Sequence, residues 1–120
     1  HHAGDQLLES VGDTLRSVLR ASDTAARMGG DEFTLLIAEI DHPDDATIVA
    51  KRILTALSKP IGTTAGICQI GASIGVACFP THATHQAGLV ALADAAMYEA
   101  KRSGKNTYRV AKAPETPTAL

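Results

Sequence analysis

Between Asp5 and Arg20, apolar residues fall at Leu7, Leu8, Val11, Leu15, Val18 and Leu19, the spacing that lines one face of a helix. Asp5 stands where a side chain would cap the start of that helix. Ala25 to Met28 and Glu32 to Ile40 are apolar runs joined through Gly29-Gly30-Asp31. Two glycines permit the positive φ of a tight turn, so the runs read as a β-hairpin with acids at its tip. Asp41-His42-Pro43-Asp44-Asp45 reads as a turn and helix start, and Ile48, Val49, Ile53, Leu54 and Leu57 predict a second helix over roughly 44–58, stopped by Pro60. Ile61 to Ala65 and Ile67 to Phe79 read as two strands around Gly66, closed by Pro80. After a polar loop, Leu89, Leu92, Ala93, Ala96, Met97 and Ala100 predict a third helix ending at Gly104, and Asn106 to Val110 a last short strand.

The order helix, hairpin, helix, hairpin, helix, strand shows no internal repeat and predicts an α+β fold: an antiparallel-rich sheet with helices on one face. One domain over 1–110 is expected, with 111–120 a linker or disordered tail because of Pro114 and Pro117. A sheet domain that opens on a helix ordinarily has a strand before it, and the sequence supplies none.

With 120 residues and 45% hydrophobic content, the chain suits one core. Lys plus Arg total 11 against 13 Asp plus Glu, which excludes the basic field that holds duplex nucleic acid. Phe33, Phe79, Tyr98 and Tyr108 are the whole aromatic set, too few for a base-stacking platform. Any nucleotide must be held by polar groups. Cys68 and Cys78 lack CxxC spacing and read as structural filler in a reducing compartment. No apolar run reaches the about 18 residues of a membrane helix. The expected location is the cytoplasm, including as the cytoplasmic part of a membrane-anchored sensor protein.

The informative segment is Gly29-Gly30-Asp31-Glu32-Phe33. Two adjacent acids on a glycine turn suit a divalent cation beside a phosphate, because backbone N–H groups approach phosphate oxygens there and Mg²⁺ takes a few carboxylates plus the substrate's own oxygens. On its own such a turn reads as a solvated surface feature, since Gly and Asp are ordinary turn residues. Its surroundings change the reading. His1-His2-Ala3-Gly4-Asp5 is similar to the end of a GHxxGD segment, Arg20-Ala21-Ser22-Asp23 to an RxxD pair, and Ser73-Ile74-Gly75-Val76-Ala77 to an SIGVA strand. Ala93 to Tyr98 matches AD-x-A-[LM]-Y, and Lys101-Arg102-Ser103-Gly104-Lys105-Asn106 matches K-x-x-G-[RK]-N. In this order and together they resemble a GGDEF diguanylate cyclase domain over nearly everything from His1 to about Val110.

The resemblance implies a nucleotide-cyclase-like, ferredoxin-like βαββαβ fold and the condensation of two GTP into cyclic di-GMP with loss of pyrophosphate, using Mg²⁺ or Mn²⁺ in a homodimer. It makes His1-His2 native. Asp31 would be a metal ligand and help activate the attacking 3′-hydroxyl, and Glu32 would support that metal. Gly29 and Gly30 would admit phosphates to backbone N–H groups. Asp5 would read the guanine edge or cap the helix, and the residues alone leave both open. Lys101 and Lys105 would meet the triphosphate; otherwise they are solvated lysines at a helix C-terminus. Lys at 105, where many relatives carry Arg, keeps a point charge and loses the bidentate grip. Arg20 and Asp23 would bind cyclic di-GMP as an inhibitory site, with Arg52 a weaker third member; an Arg–Asp pair three apart is otherwise a common surface motif. Arg27 would buttress phosphate or the turn. His42, His82 and His85 carry no assigned role.

Family members begin with a strand carrying a metal-binding Asp and a short helix, and neither lies in this chain. The lost strand is central in the family plan, so its absence is expected to leave unpaired backbone groups on its neighbours. The chain is then expected to rearrange, to swap elements in a dimer, or to be the ordered remainder of a longer protein, and to be inactive alone. Two other classes stand beside the cyclase: a receptor that binds GTP or cyclic di-GMP without turnover, and a regulatory partner of a fused EAL phosphodiesterase domain. A fused sensor domain is also expected.

Overall fold

The computed structural model describes residues 2–38, 44–104 and 106–112. The chain runs α1 (His2–Val18), β1 (Thr24–Gly29), β2 (Glu32–Ala38), α2 (Asp44–Leu57), β3 (Ile61–Thr63), β4 (Gly66–Cys68), β5 (Ser73–Phe79), α3 (Gln86–Arg102) and β6 (Thr107–Val110). The main sheet has the order β1-β2-β5-β6, and β3 with β4 makes a separate two-stranded ribbon.

The α+β class holds, but the main sheet is mixed. β1 and β2 are antiparallel, whereas β2 pairs with β5, and β5 with β6, in parallel. The expected gap at the centre is absent: β2 and β5 pair directly from Glu32↔Ser73 to Ala38↔Phe79. Their backbone groups therefore find partners in each other.

Helices cover both faces, not one. Phe33, Leu35 and Ile37 alternate along β2, and Ile74, Val76 and Cys78 along β5, because successive side chains in a strand point to opposite faces. This set packs with Ala46, Ala50, Ile53 and Leu57 of α2 and Val11 of α1. On the other face Ala77 and Leu36 meet Leu89 and Ala93 of α3. Burying each of the large side chains stabilises the fold by about 1.5–3 kcal/mol. β5 is enclosed on both sides from Ser73 to Cys78, which is why its sequence is a near-continuous run of apolar and small residues.

The run read as one strand from Ile67 to Phe79 divides into β4 and β5. Gln69 between them donates its amide to the Ser58 carbonyl at 2.8 Å, anchoring the crossing to the end of α2. The β3–β4 turn uses Gly66 at φ +111°, a conformation open to glycine. Gln6 of α1 accepts the Thr64 N–H at 2.8 Å and ties this ribbon to the helix layer. Ala111 continues past β6, with its N–H on the Val76 carbonyl at 2.7 Å. Residues 113–120, expected as tail, lie outside the described residues.

Candidate active site at the signature hairpin

The β1–β2 hairpin turns through Gly30 and Asp31, with Gly29 opposite Glu32. The register shifts between Arg27 and Gly29, so Met28 is an extra residue in β1. The positive-φ glycines are Gly66 and Gly104, not Gly29 or Gly30; the bulge, rather than left-handed glycine, makes this turn. Glycine serves another purpose at each position. A Cβ on Gly29 would stand 3.1 Å from Oε1 of Glu32, while one on Gly30 would meet nothing within 4 Å. Glu32 thus leans into the space that Gly29 leaves, and the backbone at Gly30 faces open space.

Arg27 fixes the turn. Its Nε and Nη2 both donate to the Gly30 carbonyl, at 3.2 and 3.0 Å. From the other side the Ser73 N–H donates to the Asp31 carbonyl at 2.8 Å. The acids are therefore carried on a turn held at both edges, one by a side chain and one by the first residue of β5.

Lys101 reaches this turn from the last turn of α3, its Nζ donating to Glu32 Oε1 at 2.7 Å. The Glu32 hydrogen bond, and then its charge, raise the Lys101 pKa above the usual lysine value, with smaller help from Tyr98 and Asp31. Lys101 is thus a cation under all physiological conditions. α3 is brought close enough by Gly75: a Cβ there would lie 2.0 Å from the Ala93 carbonyl oxygen and 2.3 Å from the Met97 nitrogen. Gly104 at φ +116° ends the helix just after Lys101. Lys105 lies outside the described residues.

Asp31 and Glu32 are the carboxylates at the tip. Among the described residues no group of three or more His, Cys, Asp and Glu forms a metal cage. Mg²⁺ is held by one or two carboxylates plus substrate phosphates rather than by an all-protein cage, so this donor set fits a cation carried in with a nucleotide.

The predicted RxxD pair lies elsewhere. Asp23, with its side chain 1% exposed, accepts from the Arg20 N–H at 3.0 Å and from Arg20 Nε at 3.4 Å. Its other oxygen accepts the Ala38 N–H at 3.2 Å. Arg20 Nη2 also bonds the Ala38 carbonyl. The pair thereby clamps the α1–β1 turn to the end of β2. Beside it opens a cavity of about 660 Å³ lined by Gly12, Leu15, Arg16, Leu19, Arg20 and Asp23 among others. Arg52 is exposed on α2. Asp5 lies exposed in the first turn of α1, not at its cap, because the helix already begins at His2. Thirteen residues of helical rise, on the order of 20 Å, separate Asp5 from Val18 at the end of α1, and Arg20 follows two residues beyond it.

Two residues without an assigned role matter here. His82 is 7% exposed and its Nδ1 accepts the Cys78 N–H at 2.8 Å, and burial lowers its pKa. Ser73 is fully buried, and its hydroxyl has no hydrogen-bond partner among the described residues. Strand alternation, with Ala77 and Gly75 on the α3 face, is the signal that puts Ser73 on that face too.

The description "Diguanylate cyclase, GGDEF domain" fits residues 1–107 of the chain. The bifunctional diguanylate cyclase/cyclic di-GMP phosphodiesterase MucR of Pseudomonas aeruginosa is 44% identical over 108 residues, 90% of this chain and 16% of MucR. Diguanylate cyclase TpbB of the same species is 39% identical over 113 residues, 93% of this chain and 26% of TpbB. The chain therefore spans only 16% and 26% of the length of these two relatives. The solved GGDEF domain of TpbB superposes with a TM-score of 0.78 at 38% identity, covering 93% of this chain and 70% of that one. The chain belongs to the diguanylate cyclase GGDEF domain family.

Proposed function

We propose that the chain is the core of a catalytic domain that joins two GTP molecules into cyclic di-GMP. The observation that carries this reading is the Lys101–Glu32 contact across the signature turn, which sets a cation, two carboxylates and open backbone at one place. In each half-reaction the 3′-hydroxyl of one GTP attacks the α-phosphorus of the other. A P–O bond forms, the bond to pyrophosphate breaks, and the hydroxyl proton leaves to a base. A bound Mg²⁺ or Mn²⁺ would supply charge neutralisation at the phosphates.

Asp31 would hold that cation and help activate the attacking hydroxyl, and Glu32 would support its charge environment. Gly30 and Gly29 let phosphate oxygens approach backbone N–H groups. Lys101, joined by Lys105, steadies the triphosphate charge. Asp5 accepts from the guanine N1–H and amine, a donor pair adenine lacks. Each domain holds one GTP, so two copies must face each other, and the working unit is a homodimer. Arg20, Asp23 and Arg52 form the inhibitory site for the product. A GTP-consuming domain works in the cytoplasm, here in a longer protein with a sensor domain.

Full-length protein incubated with GTP and Mg²⁺ should release two pyrophosphates per cyclic di-GMP, and ATP should not substitute. Pyrophosphate release with ATP at the GTP rate would contradict the guanine assignment. A second reading draws on the phosphodiesterase half of the name of MucR: the domain binds GTP or cyclic di-GMP without turnover and regulates a fused EAL phosphodiesterase. It requires GTP-dependent phosphodiesterase rates and no cyclic di-GMP synthesis.

A further inference from the structure

Four strands place one row of residues across the sheet beside the signature turn: Gly29 opposite Glu32, Glu32 opposite Ser73, and Ser73 opposite Thr107. Glu32 is therefore flanked by a residue with no side chain and by one with a hydroxyl. Its carboxylate leans over Gly29, whose ideal Cβ would lie 3.1 Å from Oε1 and 3.2 Å from Cδ. There it takes Lys101.

The other flank is unused. Ser73 is 0% exposed, and Oγ has no partner among the described residues. A buried hydroxyl without a hydrogen bond is costly, and each such group in a folded protein calls for an explanation. Its direction supplies one. Ala77 meets Leu89 and Ala93, and Gly75 lies against Ala93 and Met97. Two residues further back along β5, Ser73 stands on the same face opposite the next turn of α3, the turn that carries Lys101.

We propose that Ser73 is a positioning residue for polyphosphate binding: its O–H takes up the Glu32 carboxylate when an incoming polyphosphate draws Lys101 away. Glu32 then has two seats, one over Gly29 on Lys101 and one toward Ser73. In the first seat it neutralises Lys101; in the second the ammonium is released to phosphate. Without the Ser73 hydroxyl the second seat has no donor, and Glu32 competes with the ligand for Lys101. This rests on the reading of Lys101 as a triphosphate-binding group.

The test is calorimetric titration of full-length protein with inorganic tripolyphosphate, without divalent cations. Ser73→Ala should weaken binding about tenfold, the size of one hydrogen bond to a charged group. Ser73→Cys, similar in shape but a weaker donor, should fall between. Glu32→Gln should tighten binding by removing the competitor, and Ser73→Ala added to it should change affinity less than about twofold, since coupled neighbours are non-additive. A Ser73→Ala loss equal in both backgrounds shows a merely structural effect and overturns the proposal, as does no loss or no binding by the parent. If the coupling is present but GTP yields no cyclic di-GMP, the cyclase reading falls and the Ser73 role stands.

Discussion

Lys101 Nζ sits 2.7 Å from Glu32 Oε1 although the two residues are 69 positions apart. One ends α3 and the other begins β2, so this contact is where the helix layer meets the signature hairpin. If Lys101 meets the triphosphate as proposed, Lys101→Ala should lower kcat/KM by roughly a hundredfold, as loss of one transition-state donor does. Lys101→Arg should retain much of the rate. Steady-state kinetics of the full-length protein measure both, and an alanine variant at parental kcat/KM would remove Lys101 from the site.

The same pair sets an alkaline limit. Glu32 raises the Lys101 pKa, so its stabilising effect is complete below the unfolded value of about 10.4. It is lost as pH rises through the higher folded value. Melting curves should therefore be insensitive to Glu32→Gln above that range and respond to it near neutrality.

Gly75 should tolerate no side chain. A Cβ would sit 2.0 Å from one backbone atom of α3 and 2.3 Å from another, and backbone cannot step aside as a flexible side chain does. Gly75→Ala should destabilise the domain by about 3 kcal/mol or more and push Lys101 off the hairpin. Urea unfolding measures the first effect. A parental midpoint would show that α3 has room to move.

Asp23 and Arg20 should separate in their effects. Asp23 is buried and accepts the Ala38 N–H at 3.2 Å, so Asp23→Ala leaves that donor without its acceptor and should cost about 1–3 kcal/mol. Arg20 is half exposed, and Arg20→Ala should cost less while abolishing cyclic di-GMP inhibition. Equal destabilisation by both, with inhibition intact, would make the pair a clamp alone.

His82 should limit stability in acid. Its Nδ1 accepts the Cys78 N–H, which demands the neutral ring, and burial lowers its pKa. The unfolded chain then binds a proton more readily. Stability is complete above the unfolded value of about 6.5 and declines as pH falls through the lowered folded value. His82→Gln should flatten that decline in pH-dependent melting.

The helices were legible because each buries one stripe, and the signature hairpin because glycine and acids interrupt two apolar runs. The parallel β2–β5 pairing was not. A run such as Ser73 to Phe79 shows that a strand is buried on both faces but names no neighbour, and nothing local in Phe33 or Ile74 encodes their register. The tip residues were legible as a group. The engagement of Glu32 by Lys101, and of Asp23 by Ala38, was not, because the first depends on how α3 meets β2 and the second on how the α1–β1 turn meets the end of β2. Ser73 was hidden inside a motif read only as a strand.

The decisive measurement is the rate of cyclic di-GMP formation from GTP and Mg²⁺ by the full-length protein, compared with its Asp31→Ala variant. Product from the parent, with a loss of about a hundredfold or more in the variant, is the expected result. Equal rates from both, or no product from the parent, would contradict the assignment of the signature turn as the catalytic centre.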